Sequence, residues 1–222
     1  MGSIVRPGRA AMLLVPLCLS LFTIDSVQAT PLEVYGHLPS VEDVALSPDG
    51  SKLAFVRTTE DLRGLAVVGV ADHKFLGGAK LGDMKLRSLS WADDDHLLVT
   101  VSTTEKAYGT VGTGEYFHLF VYEVSSHKRR EYPQYLTETT TQTHTRMMNV
   151  LAGSVMVRRM NGETNLFIPG VYVDEGSRSS AFQNIEQWKL LLLRVNLASG
   201  KESLVRKGDT STRDWLVDES GE

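Results

Sequence analysis

The stretch that most constrains this chain is residues 41–57, VEDVALSPDGSKLAFVR. It reads as two short apolar strands joined by Ser47-Pro48-Asp49-Gly50. Pro48 pre-sets φ, Asp49 can bond nearby backbone and Gly50 accepts positive φ, so the turn is chemically specified. Val44-Ala45-Leu46 enters it and Leu53-Ala54-Phe55-Val56 leaves it, with apolar residues on both faces of the second strand. A hairpin of that kind needs sheet packed above and below it.

The pattern recurs. Residues 65–70 (LAVVGV) and 75–81 (FLGGAKL), linked around Asp72-His73-Lys74, complete four strands in order. It restarts at residues 86–91, turns at Asp93-Asp94-Asp95, leaves through 97–102, continues with 117–124 (FHLFVYEV) and begins an edge at 130–133. Ser47 and Trp91 open equivalent turns, 44 residues apart, within the ~40–50-residue period of four-stranded propeller units. In a noisier third copy, residues 147–150 and 155–159 flank Leu151-Ala152-Gly153-Ser154, and residues 161–188 form a long insertion. Residues 190–197 (LLLLRVNL) then turn through Ala198-Ser199-Gly200-Lys201 into 203–206.

The second turns align as Val70-Ala71-Asp72-His73-Lys74, Val124-Ser125-Ser126-His127-Lys128, and residues 195–201 with two extra positions. Residues 214–217 begin a fourth unit, with 218–222 as its first turn. The predicted fold is all-β: a partial β-propeller of four-stranded antiparallel blades at 41–81, 86–133 and 146–207, with the start of another at 213–222. A lone β-sandwich, the main rival, also uses many short strands but does not account for the restart. Closed propellers need ~4–8 blades, so the chain reads as the front part of something longer. An open arc exposes apolar faces at its ends.

The first 29 residues stand outside this pattern. Arg6 and Arg9, the apolar run 10–22 and Val27-Gln28-Ala29 make a secretory signal peptide, cut between Ala29 and Thr30. The run is shorter than the ~20 residues a spanning helix needs, and Pro16 interrupts it. The rest is one exported domain, residues 30–222, with a periplasmic or secreted destination and no membrane attachment after cleavage. Cys18, the single cysteine, leaves with the signal, so no disulfide or thiolate site is expected. A formal charge of −4 without a basic block gives nucleic-acid binding little support.

Chemistry-bearing motifs are sparse. Asp93-Asp94-Asp95-His96 has the residue types of a cation site, but its position at a hairpin tip favours a solvated turn. Residues 108–114 (YGTVGTG) lack the following helix that would hold phosphate. His37, His73, His96, His118, His127 and His144 form no H-x-x-x-H pair, and His73 and His127 occupy the same turn position in successive units. No G-x-S-x-G nucleophile elbow occurs. Trp91, Trp188 and Trp215 read as blade packing. No catalytic, metal or cofactor residue is assigned. The long insertions 103–116, 134–145 and 161–188 gather on one rim in a four-stranded meander, which makes that rim the candidate interaction face.

Residues 32–58, LEVYGHLPSVEDVALSPDGSKLAFVRT, resemble the opening of the amino-terminal propeller of secreted bacterial S9 serine peptidases, the prolyl oligopeptidase and acylaminoacyl-peptidase-like group. Residues 212–222, TRDWLVDESGE, resemble the start of a later blade in the same proteins. The resemblance implies a propeller that restricts peptide access to an α/β-hydrolase domain bearing a Ser-Asp-His triad. That domain lies beyond the matching region, so this chain alone is expected to be inactive. The alternative is a stand-alone periplasmic TolB-like binding module that completes its blades from another chain. A propeller hydrolase with a central metal is weaker still.

Overall fold

A computed structural model describes residues 39–59, 62–106, 113–134, 145–174 and 188–221, together with Gly2 and Gly36. The chain divides into two units, 1–36 and 37–222. In the second unit the described residues form thirteen strands in three antiparallel sheets. The first sheet is a meander of β1 (Val41–Leu46), β2 (Lys52–Thr59), β3 (Leu62–Gly69) and β4 (Phe75–Gly82). The second repeats it with β5 (Lys85–Trp91), β6 (His96–Glu105), β7 (Gly114–Glu123) and β8 (Lys128–Tyr132). The third is β10 (Met156–Met160), β11 (Glu163–Asp174), β12 (Lys189–Asn196) and β13 (Lys201–Lys207), with β9 (Thr145–Met147) paired to the far end of β11. Repeated four-stranded meanders packed face to face are a partial β-propeller.

Strand alternation distributes the side chains. On β6, Leu97, Val99 and Val101 join Ala54, Val56, Leu65 and Val67 in a core between the first two sheets. Leu98, one residue along, faces the other way and joins Leu119, Val121, Leu166, Ile168 and Leu193 between the second and third. At the first joint, Trp91 donates its indole N–H to Ala45 O at 3.0 Å, binding β5 to β1. Gly77 is required there: a Cβ would strike Tyr122 Oη and come within 2.7 Å of His127 Nδ1.

The outer face of the first sheet has no partner sheet among the described residues. Val44, Leu46 and Phe75 are 52, 57 and 69% exposed. The two-sided apolar hairpin is thus covered on one face only, leaving the apolar end expected of an open arc. At its far end, Arg63 Nε bonds both Glu42 carboxylate oxygens at 2.7 and 2.9 Å, tying β3 to β1 across β2.

The repeat is more regular than the sequence spacing implied. Val70 N–H donates to Ser51 O, Val124 to Asp95 O and Leu197 to Thr164 O, so in each sheet the second turn is pinned to the first. Three residues after each donor stands a residue at positive φ: His73 (54°), His127 (56°) and Gly200 (67°). The third turn is therefore Leu197-Ala198-Ser199-Gly200-Lys201, with no extra positions. Trp91 pairs with Leu97 as Leu46 pairs with Leu53, so Trp91 is equivalent to Leu46, not to Ser47, and the second tip is one residue shorter.

Two further expectations are corrected. The first hairpin of the third sheet turns at Asn161-Gly162, with φ of 51° and 82°, between the pair Met160 and Glu163. Residues 151–154 are part of a crossing linker instead, and most of the described part of the supposed insertion 161–188 is the long strand β11. Two consecutive positive-φ residues match the right-handed twist of the strands, which is why Asn-Gly closes a two-residue hairpin. Residues 213–217 form no strand; Trp215 and Val217 pack on Phe167 and Leu192, and Arg158 donates to Val217 O and Asp218 O. The turn after them forms nonetheless: Gly221 N–H donates to Asp218 O at 3.2 Å, as Gly50 does to Ser47 O at 2.9 Å, both glycines at positive φ.

Candidate functional site

Two constellations stand out. The first is the tip of β5–β6, where three consecutive aspartates reach three places. Asp94 Oδ1 accepts Asp49 N–H at 2.9 Å and its carbonyl accepts Lys52 Nζ at 2.9 Å, both from the first sheet. Asp95 accepts the backbone N–H and hydroxyl of Ser125 in its own sheet. Asp93 takes His96 Nδ1 at 2.8 Å, and the Thr164 hydroxyl of the third sheet lies near enough to help lower its pKa. Burial works against the Asp93 carboxylate, but the hydrogen bonds from His96, the Asp95 backbone and Thr164 hold its pKa well below the ordinary range. His96 likewise bears a desolvation cost, which the Asp93 bond and the Asp95 and Glu123 charges outweigh, so its pKa lies above 6.5.

The expected hairpin turn is there, with Asp94 exposed, but it is less solvated than expected: His96 and Asp93 side chains are only 15 and 26% exposed. Asp95, His96 and Glu123 each bring a ligand-type atom within 4.8 Å of the others, but the Asp95 oxygens and His96 Nδ1 already serve protein partners. The tip is a stitch holding three sheets in register. The Ser47–Gly50 tip is tied more locally, Asp49 accepting the Ser47 and Ser51 hydroxyls and Ser51 N–H, which depress its pKa.

The second constellation is a cavity of about 600 Å³ between the second sheet and the linker 151–155. Alternation on β5 turns Ser88 and Ser90 into it, opposite Thr100 and Leu98 of β6, with Phe117 and Leu119 of β7 beyond. The linker closes the other side, anchored by Leu151 N–H to Phe117 O at 2.8 Å and Ala152 N–H to Pro169 O at 2.9 Å. Arg87 also lines the cavity. Its Nε donates to Ser102 Oγ at 2.8 Å, its Nη2 to Glu115 Oε1, and its guanidinium lies 5.9 Å from the Phe117 ring centroid. The Ser102 hydroxyl and then Arg87 and Lys85 lower the Glu115 pKa despite some desolvation.

Of the residues singled out from sequence, Ala29, Thr30, His37 and His144 lie outside the described residues, as do residues 107–112 of the insertion 103–116 and residues 135–144 of the insertion 134–145. His73 and His127 sit in turns, as repetition implied. His118 lies on β7 within 3.2 Å of the Thr103 hydroxyl. The cavity residues were missed, although the alternation Ser88-Leu89-Ser90 marks a strand with one polar face.

No family model matches the chain, and no curated protein matches it. Among solved structures it is similar to the β-propeller domain of the trilobed protease from Pyrococcus furiosus, at 18% identity and TM-score 0.40, over 78% of this chain and 44% of that one. It is also similar to Pyrococcus horikoshii acylaminoacyl peptidase, at 14% identity and TM-score 0.37, over 78% and 26%. Kuenenia stuttgartiensis hydrazine synthase gives 14% identity and TM-score 0.38, over 73% and 57%. The chain thus spans less than two thirds of each. These are distant likenesses of architecture; the propeller class stands on the three sheets themselves.

Proposed function

We propose that this chain is the amino-terminal propeller segment of an exported S9-type serine peptidase, where it gates peptide access to an α/β-hydrolase domain. The observation that carries this is the first sheet. Residues 41–57, whose sequence resembles the opening hairpin of that group's propeller, head a stack of repeated four-stranded sheets. The outer apolar face of that first sheet suits a further blade. The Ser-Asp-His triad belongs to the rest of the proposed parent, and no residue here is given a catalytic role. Export rests on the leader, with cleavage between Ala29 and Thr30 and delivery to the periplasm or beyond.

The coding sequence past codon 222 tests the reading. A G-x-S-x-G followed by Asp and His supports it, and a stop codon counts against it. The chain alone should hydrolyse no peptide; turnover by it would overturn the division of labour. Amino-terminal sequencing of the exported protein should begin at Thr30.

A further inference from the structure

The cavity beside β5 is lined on its open side by exposed hydroxyls, with Thr100 half-buried beneath them. The hydroxyls of Ser88, Ser90, Thr100 and Ser154 line it, and none makes a side-chain hydrogen bond among the described residues. Beside them Phe117 and Leu151 give the cavity its accessible apolar surface, laid over the buried Leu98 and Leu119. A volume near 600 Å³ falls within the ~300–1,000 Å³ of small-ligand sites, which pair an apolar lining with a few placed polar groups.

The charge balance specifies the ligand further. Arg87 and Lys85 surround a single carboxylate, Glu115, leaving this corner with one surplus positive charge. Ser102 and Glu115 hold the Arg87 guanidinium by Nε and Nη2, while Nη1 has no partner among the described residues. A guanidinium fixed on one side with a free donor on the other is pre-organised for a carboxylate.

We propose that this cavity binds a small carboxylate with an apolar body, the chemistry of a peptide's carboxy-terminal residue. The carboxylate would meet Arg87, the apolar side chain would lie on Phe117 and Leu151, and the amide would reach the Ser88, Ser90 and Ser154 hydroxyls. The site is independent of the peptidase reading: it holds or fails whatever lies past codon 222.

Titration of the full chain with N-acetyl-phenylalanine and with its amide, followed by saturation-transfer NMR, tests this. The acid should bind about tenfold or more tightly than the amide, as a charge-assisted hydrogen bond provides. Arg87→Met should abolish that preference while leaving weak binding of both. Because Arg87 also anchors Glu115, a second variant is needed: Ser90→Leu fills the cavity from an exposed strand position without touching that network, and should abolish acid binding. Equal binding of acid and amide, full binding by Ser90→Leu, or no transfer to either probe at millimolar concentration would each overturn the assignment.

Discussion

The two joints between neighbouring sheets are built from the same repeat and differ in one respect, the chain that links them. Two residues, 83–84, carry the chain from β4 to β5, and the inner strands β1 and β5 lie side by side with Trp91 bonded to Ala45. Residues 133–155 carry it from β8 to β10, and their last part, 151–155, runs between the sheets. The short link leaves no room for anything but side chains; the long one lays residues 151–155 along the second sheet and makes the cavity beside a joint that is itself packed. Within a repeat architecture, the irregular crossover is thus where a ligand site can arise without loss of the sheets.

Substitutions on one strand can break that comparison. Leu97 and Leu98 are adjacent on β6 and face opposite joints. Leu97→Ala should cost about 2–5 kcal/mol, the range for truncation in a closed core. Leu98→Ala should cost clearly less, because its site already borders a cavity. Equal losses in urea midpoint would show that the second joint is as tightly packed as the first.

Smaller effects sharpen the picture. Gly77→Ala should cost about 1–3 kcal/mol by overpacking and should shift the Tyr122 and His127 ring resonances. Gly200→Ala, at φ 67° and beneath Arg130, should cost about 1–2 kcal/mol for its left-handed backbone alone. Chemical denaturation checks both.

The stitch at Asp93–His96 gives a pH dependence. The folded state raises the His96 pKa above 6.5, so its contribution is complete below that value and is lost as pH rises through the folded pKa. The urea midpoint should fall as pH is raised from below the ordinary histidine value through the raised folded one. His96→Asn should flatten the slope. Smallest of all, Phe75→Ser on the exposed outer face should change stability by no more than about 0.5 kcal/mol while lowering the fluorescence of a bound hydrophobic dye.

Local chemistry was legible from sequence, and non-local ties were not. Pro48-Asp49-Gly50 announces its own turn, and the spacing of His73 and His127 betrays a shared left-handed position. Asn161-Gly162 carried an equally plain signal, obscured because Leu151-Ala152-Gly153-Ser154 offered a competing turn about ten residues earlier. The roles of Asp93, Asp94 and Asp95 depend on Thr164, Asp49 and Ser125, partners that no window around residue 94 contains. The cavity depends on where residues 151–155 cross, which is a matter of packing.

The unbroken meander order has a kinetic corollary. Within the first two sheets every ladder joins strands adjacent in sequence, and such short-range topology closes quickly. A ribosome releasing this polypeptide would deliver the first sheet whole before β6 exists to shelter Ala54 and Val56. Until then both sides of that nascent sheet are greasy, so the moment of greatest hazard in the molecule's life falls early in translation.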